Sequence, residues 1–390
     1  MTAALVAPNR VTPSAAQIQH TQQAIATYIQ GIDANPAHRS GAYPYYRFHA
    51  PGEAILGTIM IFHGFSAKPH QMWQLTEYLF QNGYHLYQPS IAGHVYLPPS
   101  QYWCQVDLKP EIADPLRAKI AQDPVLQLYF ANLATAENFS RPGYTQRLAL
   151  MAKLKELDPR LEEIITATQG GDDATFQKYF ISNHMDYLSH ARDRLQELDA
   201  MPGDIYTLGL SVGGAVALGL ATDRPDRIKK AIAYAPLLEI YGEDRRQYVN
   251  LAGPLDIKEL GWDPNLRFPV GALTAAARFG KFVVKSAVKL SNTPTFMVLT
   301  ENEDAADIQT NQDFFQAIGG TQKGHQSFLY PASDLVPHPM IGPTEVSQGM
   351  SNRFWQTLYQ ETYRFLNTGK ATLENMKKVQ QDTALPIVAN

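Results

Sequence analysis

Short, nearly continuous apolar runs punctuate the chain at Gly57–Phe62, Tyr84–Gln88, Ile205–Leu208, Ile228–Tyr234, Thr295–Leu299 and Ser327–Tyr330. Most stop at a glycine or a proline, as buried strands do. Tyr45–Phe48 reads as a further strand ahead of them. Between the runs, apolar residues return at helical spacing. In Pro69–Gln81 the residues Met72, Leu75, Leu79 and Phe80 share one face, and Gly83 stops the helix. Asp186–Leu198, Val212–Leu220, Asn311–Ile318 and Phe354–Leu366 are the other predicted helices of this series. Ser14 has the character of an N-cap, with Ile18, Ala24, Ile25 and Ile29 following at helical spacing. Apolar strands separated by helices predict an α/β chain whose central, mostly parallel sheet carries helices on both faces.

Two stretches break the alternation. Pro98–Met185 is polar and broken, with Leu148–Leu157 as one amphipathic piece, and Leu237–Asn292 is irregular again. Each follows a strand, where an insertion can fold over the site at the carboxyl ends of a parallel sheet. The predicted organisation is therefore an N-terminal helical extension over residues 1–40 and a core built from 41–95, 186–236 and 294–368. Residues 96–185 and 237–293 are cap or lid insertions, and 369–390 form a tail, read as frayed from Thr368 on.

Composition narrows the class. The 390 residues are 45% hydrophobic and 18% charged, enough for a real core and against wholesale disorder. A net charge of −4 gives no nucleic-acid footprint. A single cysteine, Cys104, allows neither an intramolecular disulfide nor a cysteine-based zinc cluster. No secretory signal and no spanning helix stands out, so a cytoplasmic protein is expected.

The candidate chemistry starts at Gly209-Leu210-Ser211-Val212-Gly213, a G-x-S-x-G pentapeptide between a strand and a small-residue helix. Glycines two before and two after the serine let a sharp turn form without side-chain collision, and the turn lifts the hydroxyl off the sheet. An earlier strand ends at His63-Gly64-Phe65-Ser66, which places the backbone N–H of Phe65 beside that of Val212 as an oxyanion pair. His63 itself is expected to hold the loop. A hydroxyl is a weak nucleophile near neutrality, so a base and an orienting acid must follow. Four acids crowd the loop after Thr295–Leu299: Glu301, Glu303, Asp304 and Asp307. Distance from the strand end favours Asp304. After the last strand comes His338, flanked by Pro337 and Pro339, which restrict its backbone. His325 is the competitor, but it precedes that strand and belongs to the other end of the sheet. Ser211, Asp304 and His338 then follow the chain order of one of the known triad arrangements.

With these residues in view, the segment His63–Met72 and the pair Gly93-His94 resemble bacterial serine carboxylesterases and monoacylglycerol lipases of the α/β-hydrolase superfamily. The resemblance covers roughly Tyr45–His94, Asp186–Pro236 and Thr295–Leu366. It implies an α/β-hydrolase fold and places the oxyanion, nucleophile, acid and base roles on Phe65, Val212, Ser211, Asp304 and His338. It implies hydrolysis of carboxylic esters, acyl-lipid or other apolar esters included, with no metal or cofactor. The chain departs from that pattern in the length of Val95–Met185, and in carrying Glu301 where relatives have a glycine.

The inserts suggest substrate contacts. Arg278, Lys281, Lys285 and Lys289 recur every three or four residues within Val270–Leu290, so this helix could lie at an anionic lipid surface or present an ordinary solvated face. Tyr96, Tyr102, Trp103, Tyr129 and Phe130 suit an acyl pocket, or a packing surface between cap and core. A serine aminopeptidase of the same fold would need an acidic clamp, for which Glu239 and Asp244 are available, and a thioesterase would look the same at this level. A non-catalytic binding protein is the reading from a different class.

Overall fold

The computed structural model describes residues 9–135, 144–169, 173–240, 256–258 and 266–379. Seven strands form one sheet: β1 (Tyr45–Arg47), β2 (Thr58–Phe62), β3 (His85–Gln88), β4 (Ile205–Leu210), β5 (Ile228–Tyr234), β6 (Thr295–Thr300) and β7 (Gln326–Tyr330). Their spatial order is β1-β3-β2-β4-β5-β6-β7. Only β1 runs antiparallel to its neighbour; every other pairing is parallel. The chain leaves β2 toward one edge and returns to build the other half from β4, so the order reverses between β2 and β4. Ligand sites of open parallel sheets sit at such a switch point, outside the carboxyl ends of the strands.

Because successive strand residues point to opposite faces, one strand feeds two cores. Met60 and Phe62 of β2, Ala231 and Ala233 of β5, and Met297 and Leu299 of β6 join one apolar cluster. Ile59 and Ile61, Ile232 and Tyr234, and Phe296 and Val298 join the other. The first face is covered by α1 (Ala15–Asp33), α3 (Asp186–Gln196), α4 (Val212–Asp223), α5 (Val270–Lys285) and α6 (Ile308–Ala317). The second is covered by α2 (Trp73–Gln81) and α7 (Trp355–Thr368). Helix α1 starts in a capping box: the Gln17 N–H donates to Ser14 Oγ and the Ser14 N–H to Gln17 Oε1.

The inserts carry their own structure. The first contains helices at Pro110–Ile120, Pro124–Thr135, Tyr144–Leu157, Leu161–Gln169 and Ala174–Tyr179, with Val106–Leu108 paired antiparallel to Phe180–Ser182. In the second, Asp256–Lys258 pairs with Arg267–Pro269. Helix α5 then packs against α4. Its Gly280 lies so close to the loop after β5 that a Cβ there would fall 2.5 Å from the Leu238 carbonyl oxygen.

The predicted frayed end is docked as far as it is described. Met376 is fully buried, and the Tyr330 hydroxyl donates to its carbonyl at 3.3 Å. The buried Glu361 carboxylate of α7 accepts from the Thr372 N–H at 2.6 Å and the Asn375 amide at 2.8 Å. Residues 380–390 of the expected tail lie outside the described residues. Leaving two donors unmet costs about 1–3 kcal/mol each when they stay buried. Glu361→Ala is expected to lower stability on that scale in urea denaturation and to open residues 369–378 to limited proteolysis. Wild-type protease resistance in the variant would show that the tail is held by its other contacts, the Tyr330 and Thr357 hydrogen bonds included.

Candidate active site

Strand β4 passes into α4 through Ser211, whose φ of +57° and ψ of −122° lie where non-glycine residues are rarely found. The surroundings hold it there. The Ser211 N–H donates to the Tyr234 carbonyl at 3.0 Å, and its own carbonyl accepts from Leu237 at 2.9 Å. A Cβ on Gly209 would sit 2.0 Å from the Gly213 carbonyl oxygen, and one on Gly213 would sit 2.1 Å from that of Phe62. Both glycines of the pentapeptide are therefore fixed by contact, and the second of them lets α4 start directly against the end of β2. Val212 opens α4, and first-turn N–H groups have no partner within their helix.

The loop after β2 is tied down from several directions. From the loop after β3, the Ile91 N–H donates to His63 Nε2 at 3.2 Å, so the proton is on Nδ1, which donates to the Gly64 carbonyl at 2.7 Å. That bond turns the carbonyl of the Gly64–Phe65 peptide toward His63 and sends its N–H, the one on Phe65, the opposite way. Burial lowers the His63 pKa to about 3, so the ring stays neutral and serves structure. The Gly64 N–H donates to Gln71 Oε1 at 2.8 Å. Arg39, from the segment between α1 and β1, donates to the carbonyls of Ser66 and Ala67 at 2.8 and 3.0 Å. The Phe65 ring meets Trp103 and Phe268 edge to face, with centroids 5.1 and 4.9 Å away. Gln71 and Arg39 were invisible as loop anchors in the sequence, because their partners are backbone groups.

The four acids after β6 take four different places. Glu301 Oε2 accepts from the Ala332 N–H at 2.8 Å, fastening this loop to the one after β7. Asp307 caps α6 by accepting from the Thr310 N–H at 2.7 Å. Asp304, expected as the orienting acid, is exposed and accepts from the Ser347 hydroxyl at 2.6 Å and the Gln348 amide at 3.4 Å. The carboxylate in contact with His338 Nδ1 is that of Glu303, whose side chain is 2% exposed. The contact falls one residue before the one expected. In a loop with no repeat, adjacent side chains leave the backbone in different directions, and counting from the strand end cannot choose between them. Asn302 sets the direction: it bridges to Pro337, and its amide donates to the Ala332 carbonyl at 3.1 Å.

His338 is buried, and its pKa is raised above that of an ordinary imidazole. Burial pulls the value down, but the Glu303 charge and hydrogen bond, aided by the charge of Asp304, outweigh it. His325, the competitor, accepts from the Thr295 N–H through Nδ1 and bonds the Ile318 carbonyl through Nε2, at the amino end of the sheet. Glu303, Asp304 and His338 offer ligand atoms within 4.8 Å of one another, so this is also where a metal ion could be held. The pairing of Nδ1 with a buried carboxylate is equally what an orienting acid requires.

Phe65, Ser211, Asp304 and His338 line one cleft of about 880 Å³, with Val212 just behind it. None of Tyr96, Tyr102, Trp103, Tyr129 and Phe130 lines that cleft. Trp103 instead stacks on His94 at 3.7 Å, and Tyr96 packs on Tyr102 at 5.1 Å. The basic stripe of α5 does not form one open face. Arg278 is buried, with its guanidinium 3.4 Å from the centre of the Phe176 ring, and Lys281 pairs with Glu239 at 3.3 Å. Lys285, Val288 and Lys289 are what remains exposed of it. Asp244 lies outside the described residues. Among the described residues no helix is long and apolar enough to cross a membrane.

The chain matches no protein-family model and no curated protein by sequence. Its fold does match solved structures. One belongs to work on LipS and LipT, two metagenome-derived lipolytic enzymes, with a TM-score of 0.50 and 14% identity, over 84% of this chain and 98% of the other. The monoacylglycerol lipase of Paleococcus ferrophilus aligns at a TM-score of 0.46 and 11% identity, over 84% and 99% of the two chains. A soluble variant of Saccharomyces cerevisiae monoglyceride lipase gives 0.44 and 12%, over 82% and 88%. The mostly parallel seven-stranded sheet with its covering helices is thus the α/β-hydrolase fold, and its structural neighbours are lipases and esterases.

Proposed function

We propose that this protein is a serine hydrolase that cleaves carboxylic esters through an acyl-enzyme on Ser211. The observation that carries the reading is a single cleft lined by a serine at positive φ and by a histidine whose far ring nitrogen meets a buried carboxylate. His338 is the base and Glu303, in place of Asp304, the orienting acid. With its proton held on Nδ1 against Glu303, the imidazole presents a lone pair on Nε2. It takes the Ser211 proton as the hydroxyl oxygen attacks the ester carbonyl. The oxyanion that forms is met by the Phe65 and Val212 N–H groups, each such donor being worth about 10²–10³ in turnover. The imidazolium returns the proton to the departing alcohol, and water releases the acyl group by the same steps.

The ester preference is supported by the lipase and esterase neighbours of the fold. Restriction to long acyl-lipids has no support from the five insert aromatics, which pack elsewhere. The acidic clamp of an aminopeptidase does not fall to Glu239, whose carboxylate is paired with Lys281.

Hydrolysis of p-nitrophenyl esters from acetyl to palmitoyl tests the reading. Ser211→Ala and His338→Ala are expected to abolish turnover, and Ser211→Ala also to abolish labelling by a fluorophosphonate. Glu303→Gln should lower kcat by about 10⁴, the loss seen when the orienting acid of a triad is removed. Asp304→Asn should cost less than about tenfold on the same scale. The opposite ranking would return the acid role to Asp304.

The pH profile gives a second check. The base must be neutral, and His338 holds its proton to higher pH than a free imidazole. The acid limb of kcat/KM is therefore expected to have its midpoint above about 6.5. In Glu303→Gln the residual activity should show that midpoint moved to lower pH. A limb that does not move would mean that another group titrates.

A further inference from the structure

One charged side chain in the cleft is neither a member of the proposed triad nor an oxyanion donor. Glu345 follows His338 in the chain and lines the same cleft as Ser211. Its hydrogen-bond partner is Gln71, and the chemistry of that amide is fixed from the other side. Gln71 Oε1 accepts from the Gly64 N–H at 2.8 Å, so Nε2 is the end that donates to Glu345 Oε2, at 3.4 Å. Among the described residues no lysine, arginine or histidine pairs with this carboxylate. Asp304 is the other carboxylate of the cleft and is already met by Ser347 and Gln348. No lysine or arginine lines the cleft among the described residues.

A half-buried carboxylate with one long bond to a neutral amide is short of solvation, and a cation is the partner that restores most of it. The same charge repels an anion entering beside it. We propose that Glu345 is a specificity-determining residue that selects ester substrates bearing a permanently or normally cationic group, such as a quaternary or primary ammonium, over neutral and anionic isosteres. Burial pushes the Glu345 carboxyl up to about 7, in keeping with an acid that has no cation beside it in the free protein. The inference rests on the acyl-transfer reading above and names the substrate class for that site.

The test compares three matched esters in the full-length protein, with a trimethylammonio, a tert-butyl or a sulfonate group at the same position. Two series carry that group on the acyl and on the alcohol side, because Glu345 faces a cleft that both halves of the ester share. Assays are run at about pH 8.5, where a carboxylate is ionised even when its pKa is raised by several units from about 4.3. In wild type, kcat/KM for the cation is expected to exceed that for the neutral ester by at least about tenfold in one series, the scale of a charge–charge contact in a partly buried cleft. Glu345→Gln, which keeps the size and a bond to Gln71, should bring the cation, neutral and anion rates to within about threefold, roughly the scale of a modest net hydrogen-bond effect. Whatever it costs the neutral ester, the loss for the cation should be at least about tenfold greater. A wild type blind to charge in both series overturns the proposal, as does a variant that slows all three esters equally, since that would be an effect on the oxyanion loop through Gln71. If no ester of any charge is hydrolysed, the acyl-transfer reading itself falls and this inference with it. Turnover of the neutral ester alone separates the two failures.

Discussion

No side chain can stand at position 213 without colliding with the last carbonyls of β2, at 2.1 Å for Phe62 and 2.4 Å for His63. This contact sets the distance between the two halves of the sheet where the site is built. On one side of it the chain turns through Ser211 with its backbone at positive φ. On the other, the Gly64–Phe65 peptide is oriented by His63. Because backbone packs on backbone with nothing between, the serine and the loop that faces it move as one body. The strain at Ser211 persists because Tyr234, Leu237 and the two glycines leave it no relaxed alternative.

The base and its carboxylate come from the far half of the sheet and are fixed in another way. The loops after β6 and β7 are laced together: Glu301 to the Ala332 N–H, Asn302 to the Ala332 carbonyl and to Pro337, and the Thr300 hydroxyl to the Val336 carbonyl. Only after this lacing does Glu303 reach His338. Neutral polar bonds thus position the one contact in which charge matters, and His338 owes its raised basicity to a partner that backbone geometry delivers.

Much of this was legible in the sequence for physical reasons that can be named. Strands buried on both faces must be apolar throughout, so β2, β4, β5 and β6 announced themselves, and with them the sheet. Glycines 209 and 213 were readable because a nucleophile turn demands them. The carboxylate that meets His338 lies one position before the one expected, since Glu303 and Asp304 differ in the direction of a side chain and in nothing that composition records. Arg278 was misjudged for a related reason. Its spacing with Lys281, Lys285 and Lys289 suggested a wet face, but the Phe176 ring of the first insert covers it, and no local pattern reveals a cover built from residues a hundred positions away. Arg39 and Gln71 grip main-chain atoms, and such partners leave no trace in a motif.

The chain order of the site's parts bears on how it comes into being during synthesis. Ser211 and the loop at Phe65 emerge from the ribosome well before the laced pair of loops that carries Glu303 and His338. A nascent chain ending near Pro236 already contains every glycine of the turn and the loop that faces it, yet neither Glu303 nor His338. The cleft that gathers Ser211 and His338 is therefore complete only once the last two strands have joined the sheet edge.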